Sequence, residues 1–122
     1  MGVRSDVGIA MKEYVFQNLS EKAKKFLEEW EFEEQTVYKP ENEKDEDQAG
    51  RLFMTNDVKW YHHDYEDIRA FMHHLHEDHD DDDWLVLQAC HDYPDTNDGD
   101  EGRWYNNPFD FTKNVSVELA WY

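Results

Sequence analysis

Basic residues are scarce in this chain. Twelve Lys and Arg stand against thirty Asp and Glu in 122 residues, a formal net charge of −18. Gripping a polynucleotide backbone requires Lys and Arg to displace its counterions. The scarcity therefore excludes direct nucleic-acid binding as an expected function, and contact with an anionic membrane by the same argument. Cysteine is nearly absent as well, Cys90 being the only one. A single thiol excludes an internal disulfide framework and every multi-thiolate zinc site, and it fits a reducing cytosol. Glycine occurs five times, never in a phosphate-cradling pattern. No apolar run is long enough to span a bilayer. The opening MGVRSDVGIAMK lacks the uninterrupted apolar stretch of a secretory leader. The expectation is a soluble cytoplasmic protein with no cofactor.

Aromatic residues make up 16% of the chain, which argues for a packed core despite the charge. The length fits one domain over residues 1–122, large enough to bury a core without staples. Charge is unevenly spread. Residues 1–39 hold eight acids and six bases, whereas residues 40–122 hold twenty-two acids and six bases. Solubility alone is met by a net charge of roughly 2–8 in a small domain, so the excess calls for a reason. A folded chain of this length has a radius of gyration near ~13.7 Å, and hence a diameter of about 35 Å. That length of duplex DNA carries roughly 20 charges, close to the protein's own number.

Hydrophobic periodicity gives the element order. Val3, Val7, Ile9 and Met11 alternate as a first strand. Helices are expected at about 12–18 and 21–31, the second capped by Ser20 and striped by Ala23, Phe26, Leu27 and Trp30. Short strands follow at Gln35–Lys39 and Arg51–Thr55, with a turn at Asn56-Asp57. Asp64 is the expected cap of a further helix with the buried stripe Ile68, Phe71, Met72 and Leu75. WLVLQAC, 84–90, reads as a strand buried on both faces, and Val115–Trp121 as a half-buried terminal strand. Segments 40–50 and 91–102 read as acidic loops. The fold class is α+β, mainly an antiparallel sheet with helices packed on one face. A ferredoxin-like arrangement is one version of it.

Residues 72–83, MHHLHEDHDDDD, hold four histidines and six acids in twelve positions. One reading is a metal site built from His73, His76, His79 and nearby carboxylates. A catalytic zinc helix needs H-E-x-x-H, whereas His76-Glu77-Asp78-His79 is one residue short, so the two histidines do not share a face. Calcium fares no better: with Gly99 at the sixth position of an EF loop, Pro94 and Thr96 fall where ligands belong. Catalysis has no better support. Cys90 ends an apolar strand amid acids, which disfavours a reactive thiolate, and no carboxylate pair stands out. No metal site and no catalytic residue is therefore assigned, and a metal-dependent protein using the His/Asp cluster 73–83 is the alternative.

The other reading is a charged recognition surface. In an extended segment, alternate residues lie on one side about 6.6–6.8 Å apart. Asp78, Asp80 and Asp82 would then form one row, and Asp81 and Asp83 another. Asp45, Glu46 and Asp47 form a second cluster, and Asp98, Asp100 and Glu101 a third. Trp60, Tyr61, Tyr93, Trp104 and Tyr105 read as exposed aromatics beside them, the side chains that anchor interfaces. An acidic setting should raise the histidine pKa values. Mild acid should then blunt the charge and weaken a partner's grip.

MGVRSDVGIAMK at the start, VKWY at 58–61 and NPFD at 107–110 resemble small acidic accessory proteins of tailed bacteriophages. In charge the chain is similar to their DNA mimics of the anti-restriction, anti-CRISPR and host-takeover type. The resemblance implies a class and no particular target: a non-enzymatic inhibitor occupying the DNA site of a defence nuclease or a nucleoid or repair protein in the bacterial cytoplasm. The expected partner is a basic nucleic-acid-binding host protein.

Overall fold

Strand β1, Ser5–Lys12, is the centre of the fold in a computed structural model that describes residues 4–41, 48–60, 65–90, 100–113 and 119–120. Val7, Ile9 and Met11 point to one side of β1, and Gly8 and Ala10 to the other. Helices α1, Glu13–Gln17, and α2, Glu21–Glu29, follow at once. The Ser20 hydroxyl accepts from the Ala23 N–H at 3.1 Å and starts α2 as the sequence predicts. The expected end at residue 31 comes earlier, because α2 closes at Glu29 in a Schellman turn. Phe32 N–H donates to Leu27 O at 2.9 Å and Glu31 N–H to Glu28 O at 3.1 Å, with Glu31 at φ 59° where glycine is usual.

Strand β2, Glu33–Tyr38, pairs antiparallel with β3, Gly50–Val58, and β3 pairs antiparallel with β1. Asn56-Asp57 does not end a strand. Asp57, at φ 57°, sits in a bulge of β3 where the register to β1 shifts. Helix α3, Glu66–Asp78, leads through a 3-10 turn at Asp81–Asp83 into β4, Trp84–Cys90, which pairs antiparallel with β1. β4 is buried on both faces from Trp84 to Ala89, as expected. Strand β5, Glu101–Gly102, covers the edge of β4. The sheet order is β2-β3-β1-β4-β5. Its first four strands have the β-α-β-β-α-β connectivity and the order of the ferredoxin-like split.

Two apolar clusters lie on opposite parities of the strands. Val7, Ile9, Met11, Phe53, Trp84 and Val86 pack with Val15 of α1, with Phe26 and Leu27 of α2, and with Ile68, Phe71 and Leu75 of α3. Phe26 stacks on Phe71 at 4.4 Å between ring centroids, and Trp60 caps that stack edge-on. Ala10, Leu52, Leu85 and Leu87 pack instead against Trp104, Phe109 and Phe111. Gly8 makes room for Phe111, since a Cβ there would lie 2.4 Å from the ring. Trp60 and Trp104 are therefore core residues, 2% and 3% exposed, which corrects their reading as surface anchors. Tyr105 is exposed, at 73%. The expected terminal strand is described only at Leu119–Ala120, β7, paired with Thr112–Lys113, β6. The proposed Asp64 cap, Tyr61, Tyr93, residues 42–47 and residues 91–99 lie outside the described residues.

Candidate acidic interface

The buried stripe of α3 turns His73, His76 and Glu77 outward. Aspartate competes for backbone N–H groups and favours caps over helix interiors, so the acid run ends the helix. His79 takes an extended conformation, and Asp80 Oδ1 accepts from the Asp82 N–H at 2.9 Å to cap the 3-10 turn. Fully buried Trp84 then pins the start of β4. Across this turn comes β5, and just after it Arg103 N–H donates to Asp81 O at 2.7 Å and to Trp84 O at 3.1 Å. Gly102 has φ 86°, and a Cβ there would meet Trp84 O at 2.4 Å, so only glycine allows this approach.

The extended row of Asp78, Asp80 and Asp82 does not exist. Asp78 belongs to α3 and Asp81–Asp83 to a tight turn, because local capping wins over extension. The acids still converge: Asp78, Asp80, Asp81, Asp82 and Asp83 gather at one end of α3, where His76 brings in Glu101 from β5. Asp45, Glu46, Asp47 and Asp98 lie outside the described residues. Exposed Glu77 joins the group, a residue missed when only the aspartates were read as rows.

Several of these carboxylates are held by cations or imidazoles. Lys12 Nζ reaches Asp83 at 3.0 Å in a largely covered pair. Arg103 Nε reaches Asp82 at 2.9 Å in an open one. His74 Nδ1 contacts Asp78, and His76 contacts both Asp81 and Glu101 at 3.0 Å. The i, i+4 spacing of His74 and Asp78 was readable in the sequence; the bridge to Glu101 spans twenty-five residues and was not. Glu77 and Asp80 also face outward, and Asp78 and Asp82 are still 62% and 67% exposed. Asp100 also receives the Gln88 N–H at 2.8 Å.

His79 departs from expectation. Its pKa is lowered, first by burial and then by the charge of His74, against a smaller opposing pull from Asp78. Its Nε2 is buried without a hydrogen-bond partner. Among the described residues no three His, Cys, Asp or Glu side chains are grouped to hold a metal ion. His73, His76 and His79 do not converge. A groove of about 250 Å³ between α2 and α3, floored by Phe26 and Phe71, carries charges of both signs, from Lys22 and Lys25 to Glu29 and Asp67. No helix among the described residues is long and apolar enough to cross a membrane. No family model, curated protein or solved structure matches the chain. What defines it is an α+β fold with a concentrated acidic end.

Proposed function

We propose that this chain is a non-enzymatic inhibitor or modulator that mimics nucleic acid and docks onto the basic DNA- or RNA-binding surface of another protein, such as a defence nuclease in a phage-infected bacterial cytoplasm. The observation that carries the reading is the crowding of six acids in seven positions, 77–83, with Glu101 brought against them through His76, in a chain of net charge −18. These acids sit at a helix end and a capped turn, so the charge is presented by ordered backbone. Preorganised charge costs less to bind than charge on a segment that must be ordered. A concentrated field also steers a cationic partner and speeds encounter. Tyr105, two positions from Arg103, is an exposed aromatic available for contact.

The test uses the outward acids, because Asp83 and Asp81 also hold the fold through Lys12 and His76. Pull-down from bacterial lysate at low salt recovers basic partners. The triple variant Asp78→Asn, Asp80→Asn, Asp82→Asn then binds the recovered partner at least ~10-fold more weakly at low salt, with the difference shrinking as salt rises. Unchanged affinity would show that the acids only solvate the surface.

A further inference from the structure

His76 is the imidazole among the described residues whose two ring nitrogens both face carboxylates. Nδ1 lies 3.0 Å from Asp81 Oδ1, and Nε2 lies 3.0 Å from Glu101 Oε1. A ring nitrogen either donates through a hydrogen or accepts through a lone pair, and an ionised carboxylate only accepts. Both contacts therefore hold at once only while the trio carries two bridging hydrogens. These are shared either as an imidazolium between two carboxylates or as a neutral ring with one protonated carboxyl. Losing one hydrogen sets a lone pair against an oxygen, and one arm must open. His74 shows the contrast. Its Nε2 accepts from the Ser20 N–H at 3.3 Å, so its Nδ1 keeps a hydrogen for Asp78 and a neutral ring satisfies both contacts.

The trio ties together three elements. The 3-10 turn presents Asp81 to His76, β5 presents Glu101, and β4 presents the uncharged Trp84 ring edge-on at 4.9 Å. Within four positions of His76 along the sequence, the titratable residues are His73, His74, Glu77, Asp78, His79 and Asp80. β5 is held to β4 by two register pairs, Leu85 with Gly102 and Val86 with Glu101, and the flanking Asp100 and Arg103 add ties to Gln88, Trp84 and the 3-10 turn; the His76 arms add the side-chain tie from β5 to α3. The second oxygen of Glu101 is buried without a hydrogen-bond partner and offers no substitute tie.

We propose that Asp81, His76 and Glu101 form a proton-operated clamp that fastens β5 to the end of α3. With two hydrogens it is closed and carries one net negative charge. When a proton leaves to solvent it carries two, one arm opens, and β5 loosens. The clamp operates whether or not the acidic end binds a partner.

Native-state amide exchange by NMR on the full chain reads the clamp through the Arg103 N–H, which bridges Asp81 O and Trp84 O. Protection factors, corrected for intrinsic exchange, are compared in mildly acidic and mildly alkaline buffer. Arg103 protection should fall about tenfold on the alkaline side while that of Ile9 in β1 stays constant. In His76→Gln it should be low in both buffers, and in His73→Gln it should follow the wild type. Equal Arg103 protection in both buffers for the wild type would overturn the clamp, as would a fall that persists in His76→Gln. The wild-type comparison decides the point even if the Gln variant fails to fold.

Discussion

Arg51 shows how a few cations organise an acidic chain. Its guanidinium grips Glu13 through Nε and Nη2, both at 2.9 Å, reaches Glu34 at 2.8 Å, and lies 4.2 Å from the Phe16 ring centroid. The Arg51 hydrogen bonds hold Glu13 below the usual carboxylate range against the opposing effect of burial. A bidentate, partly covered pair is stronger than an open surface pair. Arg51→Ala should cost about 1–2 kcal/mol, read as a lowered denaturant midpoint. Because the folded pKa of Glu13 is depressed, its contribution is present above the ordinary value of 4.5 and is lost as pH falls through the lower folded value. Glu13→Gln should therefore flatten the acid limb of the stability curve, and an unaltered limb would refute the assignment. His79 also has a depressed folded pKa, so folding favours its neutral ring. Its contribution is present above the ordinary value of 6.5 and fades as pH falls below it. Urea midpoints measured near neutrality and in mild acid should lie closer together in His79→Gln than in the wild type.

At the level of elements, the sequence was legible wherever periodicity and capping spoke together. β1, α2, α3 and β4 follow from alternation, from the Ser20 cap and from the stripe Ile68, Phe71, Met72 and Leu75. Departures came where local chemistry competes with pattern. Asp57 adopts positive φ inside β3, making a bulge of what reads as a turn, and the Asp run caps a 3-10 turn where an extended row was expected. Trp60 and Trp104 were misplaced because they sit in irregular segments, where no period tells inside from outside. The acidic end was legible in composition but not in geometry, since its ties to Lys12, Arg103 and Glu101 join distant parts of the chain. The Schellman turn after α2 offers an element-scale test. Glu31 occupies a left-handed position that a side chain disfavours. Glu31→Gly should therefore stabilise the protein by about 0.5–1 kcal/mol, and thermal unfolding would show it as a raised midpoint.

For the whole molecule, net charge and fold answer different questions. The sheet and its two apolar clusters keep the chain compact against the self-repulsion of −18. At the end of α3 the outward acids form a field partly offset by Lys12 and Arg103. Burial holds the His79 pKa below the ordinary imidazole value, so His79 does little to offset the field. In the proposed role this field occupies a cleft built for a polynucleotide. Competition measures that most directly: the protein is bound to a partner recovered at low salt, and duplex DNA is added at constant ionic strength. Displacement that rises with DNA concentration to completion is the predicted result. A complex that holds DNA and this protein together, with neither displacing the other, would contradict it.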